Sequence, residues 1–324
     1  MSAIKSNAIE QQFQYKIQLA CPVLICFNGP SQAIAKMTQI VDSHVHFFDP
    51  TRPGGVPWPP SDLPALYKPS LPPRLQTLAH SFGVTGCIAV ECSPLRSDND
   101  WLLNVAADHP FVLGIIGDLD PADPAYRTQL DRLRKNALFL GIRYGNIWNR
   151  DLLADIDKPH FLDGLRSLAD AGLVFESANP DPRLIRALLH IVERVPRLRV
   201  IIDHLPNAKL PTDANAIAAY HHDLAVLARY SRVYVKLSEI PVVKDGAIIH
   251  DKRFYRERID PLWDLFGPHR VIFGSDWPNS DQVAPYDQTF AIVSRYFASK
   301  TPEDRERYFW KNSQIAYRWS PRSS

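Results

Sequence analysis

Two histidines one residue apart, His44 and His46, are the most chemically informative feature of the chain. The apolar residues before them predict the end of a β-strand, and side chains alternate along a strand, so both imidazoles leave it on one face. Neutral imidazole binds divalent metal ions and exchanges protons near pH 7. Such a pair can hold a metal ion or a polarised carbonyl, or can be plain polar surface, and partners from elsewhere in the chain decide between these interpretations.

Strand-like apolar runs recur along the rest of the chain, and a helical pattern follows each of them. Eight strands are predicted, at residues 39–42, 87–91, 111–116, 139–143, 173–176, 200–203, 233–237 and 271–274. Several runs are continuous instead of alternating, which is typical of strands that are covered on both faces. Because the chain also lacks a glycine-rich dinucleotide fingerprint, we predict an α/β fold, a single-domain (β/α)₈ TIM barrel.

Start and stop signals support the helices between these strands. The predicted helix starts are Asp123-Pro124, Asp181-Pro182, Thr301-Pro302 and a capping box at 97–100, and the predicted helix ends are Gly83, Gly172 and Gly267. A capping oxygen before proline is a typical first turn, and glycine accepts the left-handed conformation that ends a helix.

Polar residues close nearly all of the predicted strands. They are His44, His46, Glu91, Asp118, Arg143, Glu176, Asp203, His204, Lys236, Ser238, Ser275 and Asp276. In barrels of this kind the chemistry takes place at the carboxyl ends of the strands. Groups that titrate, bind anions or ligate metals therefore converge there, which predicts a functional site.

Several of these segments, taken in order, resemble one known family. They are Asp42-Ser43-His44-Val45-His46, Gly141-Ile142-Arg143-Tyr144, Ile202-Asp203-His204-Leu205, Val235-Lys236-Leu237-Ser238 and Phe273-Gly274-Ser275-Asp276-Trp277-Pro278. The chain resembles the amidohydrolase superfamily over residues 38–320, specifically the amidohydrolase-2 group that includes sugar-lactone and 2-pyrone-4,6-dicarboxylate lactonases.

The resemblance implies a central constellation of His44, His46, His204 and Asp276. In such relatives the aspartate of the last strand activates water, and the histidines hold a divalent metal ion or bind the substrate carbonyl. Asp276 and His204 are thus the expected catalytic residues, and all four side chains the expected ligands of one zinc or manganese ion, with a metal-independent site as the open alternative. Arg143 and Glu176 stand where a two-metal site needs a bridging group and a histidine, so two metals are not expected.

Five further residues are candidates for binding substrate. The guanidinium of Arg143 suits a carboxylate, although a structural ion pair is its alternative, and Lys236 presents the same choice. Glu91 either contacts metal or substrate, or pairs with one of these cations. Tyr144 and Trp277 either wall a pocket or pack in the core.

The expected reaction is hydrolysis of a lactone or related cyclic ester of a small anionic metabolite, by water that Asp276 activates. The alternative within the same fold is a metal-dependent non-oxidative decarboxylase. Relatives of that kind carry a glutamate ligand two residues before the first histidine, where this chain has Asp42. A third interpretation is a barrel that binds a small anion without catalysis.

Composition limits the partners. A net charge of +2 with 22% charged residues gives no basic surface for nucleic acid, and no apolar run reaches the ~18 residues of a membrane-spanning helix. We expect a small-molecule substrate, and a homo-oligomer stays open. The four cysteines lack metal or redox spacing, which predicts reduced thiols in a cytoplasmic protein. The prolines of residues 53–73 predict an ordered loop or lid.

The domain is expected at residues 37–320, with a tail at 321–324 and an N-terminal extension at 1–36. Residues 17–27 and the Ala33-Ile34-Ala35 pattern resemble a signal peptide, whereas Glu10 and Pro22 argue against one. Three interpretations are open: a disordered extension or upstream start artefact, an ordered appendage, and a targeting peptide for export.

Overall fold

The structure is a computed structural model that describes residues 39–322. The predicted N-terminal extension at residues 1–36 and the end of the predicted tail lie outside the described residues, as do Cys21 and Cys26. Cys87 and Cys92, which lie inside them, are free cysteines.

Eight parallel strands form the central sheet. They are β1 (Ile40–Val45), β2 (Val84–Val90), β3 (Val112–Gly117), β4 (Phe139–Arg143), β5 (Val174–Ser177), β6 (Arg199–Ile202), β7 (Val233–Leu237) and β10 (Val271–Phe273). Their spatial order follows the chain, β1-β2-β3-β4-β5-β6-β7-β10. A two-stranded hairpin, β8 (Val243–Lys244) and β9 (Ala247–Ile248), lies between β7 and β10. The predicted TIM barrel is confirmed, and β4 and β7 have their predicted limits.

Helices alternate with the barrel strands. They are α1 (Pro72–Ala79), α2 (Ser97–Asp108), α3 (Tyr126–Leu133), α4 (Leu152–Asp155), α5 (Phe161–Asp170), α6 (Pro182–Arg194), α7 (Ala214–Leu227), α8 (Lys252–Phe266), α9 (Tyr286–Phe297), α10 (Pro302–Glu306) and α11 (Asn312–Tyr317). Within residues 39–322, none of the helices combines the length and the apolar character needed to cross a membrane.

Helix starts agree with the sequence in two cases and differ in two. The side chains of Asp181 and Thr301 cap α6 and α10 as predicted. Ser97 is already inside α2, whose first turn has no side-chain cap, so the predicted capping box is wrong. The Asp123 carboxylate accepts a hydrogen bond from the backbone N–H of Ala125 at 2.7 Å, in a turn before α3. The helix therefore begins two residues later than Asp123-Pro124 predicts.

The apolar core has two layers. The larger packs the outer faces of the strands against the helices and includes Val235, Leu237 and Phe273. The smaller includes Ile88, Ile116 and Ile272, which alternate with outward residues along their strands, together with side chains of the C-terminal segment. The continuous apolar runs seen in the sequence are explained by this burial on both faces.

The barrel closes between its first and last strands through few contacts. Val45 and Trp277 form an isolated parallel bridge. The backbone N–H of His46 donates to the carbonyl of Trp277 at 2.7 Å, and that of Asp276 donates to the carbonyl of His44 at 2.9 Å. We call these contacts, made by residues 42–46 and 275–277, the closing seam.

Candidate active site

Three histidines converge on one carboxylate oxygen at the carboxyl ends of the strands. Oδ1 of Asp276 lies 3.1 Å from Nε2 of His46, 3.4 Å from Nε2 of His44 and 4.0 Å from Nε2 of His204. All four side chains are buried. The constellation predicted from the sequence is therefore brought together, with β1, the end of β6 and the end of β10 each contributing to it.

Unusual backbone conformations aim two of these side chains. His204 has φ 51° and Asp276 has φ 67°, in the left-handed region that residues other than glycine seldom adopt. The backbone N–H of His204 donates to the hydroxyl of Ser238 at 3.2 Å, and that of Asp276 donates across the closing seam. Such strain persists only where neighbouring contacts hold it, and it is concentrated at functional sites.

The hydrogen bond of His46 fixes which of its nitrogens carries hydrogen. Nδ1 lies 2.9 Å from the carbonyl of Val90, which can only accept, so Nδ1 is the donor. Nε2 then faces a second acceptor, Oδ1 of Asp276. Either a second proton or a cation must lie between these atoms, because a lone pair and a carboxylate repel each other.

His44 has the opposite arrangement. Nζ of Lys236 lies 3.0 Å from its Nδ1, and an ammonium group only donates, so Nδ1 accepts and Nε2 carries the hydrogen toward Asp276. Burial and the positive charge of Lys236 lower the pKa of His44 well below its ordinary value, so its imidazole is neutral.

Asp276 is ionised at neutral pH. Burial alone would raise its pKa, but His204, His46 and His44 outweigh that effect and hold the pKa below its ordinary range. Its second oxygen, Oδ2, accepts a hydrogen bond from the Asn279 amide at 2.7 Å. Asn279 has no distinctive motif, and sequence reasoning missed it.

The residues fit a single divalent ion. His44, His46 and Asp276 offer one ligand atom each within 4.8 Å of one another, and His44, Asp203 and His204 form a second such group. Imidazole and carboxylate ligands suit zinc, and the bond from His46 to a backbone carbonyl is typical of metal-binding histidines. His44 would have to release its Nε2 hydrogen to join the ligands.

Lys236 lies beneath the cluster in a buried charge network. Its Nζ is 3.0 Å from Oε1 of Glu176 and 3.1 Å from Oδ1 of Asp203. Burial raises the pKa of Glu176 to about 7, further raised by Asp203 and opposed by Lys236. Burial also acts to raise the pKa of Asp203, but Lys236 and His44 outweigh it and the pKa is lowered. The side chain of Lys236 is therefore internally paired.

Arg143 and Glu91 form a buried ion pair. Nε of Arg143 lies 2.7 Å from Oε1 of Glu91, and the indole N–H of Trp148 donates to Oε2 at 3.2 Å. In the structure, Arg143, Glu91 and Lys236 are therefore engaged in ion pairs within the protein, which is the alternative to substrate binding considered from the sequence.

The two aromatic candidates lie in packing positions. The hydroxyl of Tyr144 donates to Oδ2 of Asp155 at 2.6 Å, and the guanidinium of Arg150 covers its ring at 4.5 Å. Trp277 is fully buried and contacts Phe47, with ring centres 6.3 Å apart. Neither ring belongs to the contacts of the histidine and aspartate cluster.

Asp42 is turned away from the cluster. Its Oδ1 accepts hydrogen bonds from the backbone N–H of Ser275 at 2.9 Å and of His44 at 3.3 Å, and its Oδ2 accepts from the Tyr286 hydroxyl at 3.0 Å. Burial raises the pKa of Asp42 to about 6 in spite of these bonds. This carboxylate therefore holds the closing seam.

Besides Asn279, two residues near the cluster were not singled out from the sequence. The ring of Trp58 lies 5.9 Å from that of His46, and the loop at residues 49–71 that carries it is tied to α2 by an Arg52–Asp98 ion pair of 2.6 Å. Glu239 follows the end of β7, with Oε2 4.0 Å from Nδ1 of His204. The strand-end rule could have found Glu239, whereas nothing in the proline-rich loop distinguishes Trp58.

The fold and the cluster together define a TIM-barrel enzyme that works at the carboxyl ends of its strands. A family model described as amidohydrolase matches residues 41–319. The chain belongs to this amidohydrolase family, and it is a hydrolase.

Relatives extend over nearly the whole barrel. An L-fucono-1,5-lactonase of Burkholderia ambifaria is 32% identical over 291 residues, which cover 87% of this chain and 96% of that protein. An L-fucono-1,5-lactonase of Burkholderia multivorans is 28% identical over 281 residues, covering 83% and 92%. A crystal structure of a Burkholderia multivorans amidohydrolase with bound zinc shares the fold, with TM-score 0.75, 24% identity and coverage of 87% and 100%.

Proposed function

We propose that this hydrolase opens a sugar lactone by attack of water on the ring carbonyl. The observation that carries the proposal is the convergence of His44, His46 and His204 on the Asp276 carboxylate. Two relatives that are named L-fucono-1,5-lactonase support a sugar lactone as the substrate.

Asp276 acts as the general base. Its lowered pKa keeps it ionised at neutral pH, so it can accept a proton from water while the water oxygen bonds to the carbonyl carbon. The ring carbon–oxygen bond then breaks, and the ring oxygen takes the proton from Asp276. The product is a hydroxy acid, which releases one proton to solvent at neutral pH.

His44 and His204 stabilise the charge that develops on the carbonyl oxygen. Nε2 of His44 carries hydrogen because Lys236 donates to Nδ1. The Ser238 hydroxyl lies 2.9 Å from Nδ1 of His204, and when it donates to that nitrogen the hydrogen of the His204 ring is likewise on Nε2. Fixed N–H donors at a developing oxyanion are among the largest contributions to catalysis. A zinc or manganese ion held by His44, His46 and Asp276 would take the place of the His44 N–H group and would supply positive charge to the same oxygen.

The charges around the site favour an uncharged lactone over the anionic metabolite expected from the sequence. Arg143 is paired with Glu91, Arg150 with Asp118 at 2.6 Å, and Lys236 with two carboxylates. These cations are already neutralised. A substrate carboxylate would have to compete with protein carboxylates for them.

The two other interpretations are less well supported. A decarboxylase of this fold would use an acidic ligand two residues before the first histidine, but Asp42 is engaged by Ser275, His44 and Tyr286. A barrel that only binds an anion leaves the contact between Asp276 and the three histidines without a purpose.

The test is turnover of L-fucono-1,5-lactone, other aldonolactones and a pyrone dicarboxylate, followed by a pH indicator and by carbon dioxide detection. We expect acid release from aldonolactones without gas, and a kcat about 10³-fold lower in Asp276→Asn. Asp264→Asn, on the exposed face of α8, is the control. Unchanged turnover in Asp276→Asn would contradict the general base, and repeating the assay with chelator or added zinc measures the dependence on metal.

A further inference from the structure

Glu239 lies at the solvent-facing margin of the cluster. Its side chain is 40% exposed, whereas those of His204 and Asp276 are 9% and 1% exposed. Its Oε2 is 4.0 Å from Nδ1 of His204. A molecule that enters from solvent therefore meets this carboxylate before it meets Asp276.

The backbone of Glu239 is held in an unfavourable conformation. Its φ is 52°, in the left-handed region that residues other than glycine seldom adopt, and such a conformation persists only where neighbouring contacts hold it. The side-chain amide of Asn207 donates to the Glu239 carbonyl, and Arg258 of α8 donates to Oδ1 of Asn207 at 2.6 Å. Contacts from two other elements thus fix where this carboxylate stands.

Glu239 differs from the neighbouring strand-end carboxylates in its partners. Glu91, Asp118, Glu176 and Asp203 each lie within 3.1 Å of an arginine or lysine nitrogen. The ion-pair contact of Glu239 is instead the longer one to His204, whose Nδ1 is already 2.9 Å from the Ser238 hydroxyl. The Asn207 amide also donates to the Glu239 carboxylate, and Lys209 contributes a nearby positive charge without an ion-pair contact. The carboxylate consequently keeps acceptor capacity on its exposed side.

We propose that Glu239 accepts a hydrogen bond from a hydroxyl group of the lactone ring and so selects hydroxylated lactones. The inference rests on the proposed function. Carboxylate oxygens only accept and alcohol hydroxyls donate, and hydrogen bonds to an ionised acceptor are short and strong. A bound ring without the hydroxyl displaces water from this carboxylate and offers no donor in exchange, which is the basis of strong discrimination.

The first experiment compares two substrates in wild type, Glu239→Ala and Glu239→Gln. For an aldono-1,5-lactone we expect kcat/KM to fall about 10- to 100-fold in Glu239→Ala, the usual range for a hydrogen bond to a charged group. For δ-valerolactone, which has no hydroxyl, we expect a change of less than about twofold. Equal losses on both substrates would contradict the inference, because they would mean that Glu239 acts through His204.

Two controls accompany this comparison. Glu257→Ala removes an exposed carboxylate of α8 that pairs with Arg253, and we expect it to leave both substrates unaffected. Glu239→Gln keeps the size of the side chain, so an intermediate loss restricted to the aldonolactone separates the lost charge from any effect on folding.

A binding experiment separates this inference from the proposed reaction. Calorimetry measures the affinity of an aldono-1,5-lactam and of δ-valerolactam, whose amide bonds resist hydrolysis during the titration. We expect Glu239→Ala to weaken only the aldonolactam, about 10-fold or more. If wild type turns over no lactone but Glu239→Ala selectively loses affinity for the aldonolactam, the proposed reaction is contradicted and the role of Glu239 is not. A wild type that does not bind the aldonolactam contradicts the role of Glu239.

Discussion

His44 and His46 share a strand face but differ in chemistry. The carbonyl of Val90 makes Nδ1 of His46 a donor, whereas Lys236 makes Nδ1 of His44 an acceptor. The His46 ring therefore presents a nitrogen that needs a proton or a cation, and the His44 ring presents an N–H group. One short motif thus supplies both a cation-binding nitrogen and a hydrogen-bond donor.

Removal of the Tyr144 hydroxyl tests whether this residue stabilises the fold or lines the site. Tyr144→Phe removes the hydroxyl that donates to Asp155, so we expect the free energy of unfolding to fall by roughly 1–2 kcal/mol. Because the ring packs away from the cluster, kcat/KM for an aldonolactone should stay within about twofold. Urea unfolding and steady-state kinetics check the two expectations, and a large kinetic loss at unchanged stability would restore the pocket-wall interpretation.

The sequence predicts residues of the cluster better than their partners. Strand ends and the family resemblance point to His44, His46, His204 and Asp276 because the fold places strand ends together. Partners depend on distances across the barrel. Arg143 reaches Glu91, 52 residues away, and no local pattern distinguishes that contact from a free guanidinium.

At the scale of elements, the loop at residues 49–71 covers one side of the cluster. Its Trp58 packs edge-on against His46 and Phe48, with ring centres 5.9 and 5.3 Å apart. The ion pair of Arg52 with Asp98 and the stacking of Arg52 on Trp101 anchor the loop to α2. The proline-rich composition predicted an ordered loop, but not which side chain it places over the site.

Trp58→Ala should therefore affect catalysis more than stability. We expect kcat/KM to fall about 10-fold, because water enters beside His46 and the ring loses its support. The thermal midpoint should shift by less than about 3 °C, since the ring is only partly buried. Trp58→Phe, which keeps an aromatic ring, should recover most of the activity. Equal activity in all three proteins would contradict a role for this ring.

Local patterns located all eight barrel strands and missed the exposed hairpin. Continuous apolar runs gave β4 and β7 their limits, because burial on both faces demands such runs. The hairpin of β8 and β9 escaped notice since two-residue exposed strands carry no apolar signal. Its Asp245-Gly246 turn is the signal that would have found it.

On the scale of the whole molecule, a buried network joins the cluster to the C-terminal helix. The Tyr317 hydroxyl of α11 donates to Glu176, which contacts Lys236, and Lys236 contacts His44. Breaking a buried pair leaves an uncompensated charge, so these residues are coupled in stability as well as in position.

This network makes stability depend on pH through Glu176. Burial raises its pKa to about 7 in the folded state from an ordinary 4.5, so the folded protein binds this proton more tightly than the unfolded chain does. The resulting stabilisation of the fold is fully present below about pH 4.5 and is lost as the pH rises through 7. From pH 5 to pH 8 we expect the free energy of unfolding of wild type to fall by roughly 2–3 kcal/mol more than that of Glu176→Gln, which has no proton to lose. Urea unfolding at both values measures this difference.

Tyr317→Phe is the matched control for Glu176. The phenol donor lowers the Glu176 pKa, so its removal should raise that pKa further and steepen the loss of stability with pH. A difference between Glu176→Gln and wild type that is the same at both pH values would contradict the assignment.

The closing seam makes activity depend on completion of the barrel. His46 and Asp276 are 230 residues apart, just after the first and last barrel strands, and their contact forms only when those strands meet. Every other neighbouring pair of barrel strands has a ladder of its own that can form before this event. During refolding we therefore expect enzymatic activity to require ring completion, whereas helix content and core fluorescence can return without it.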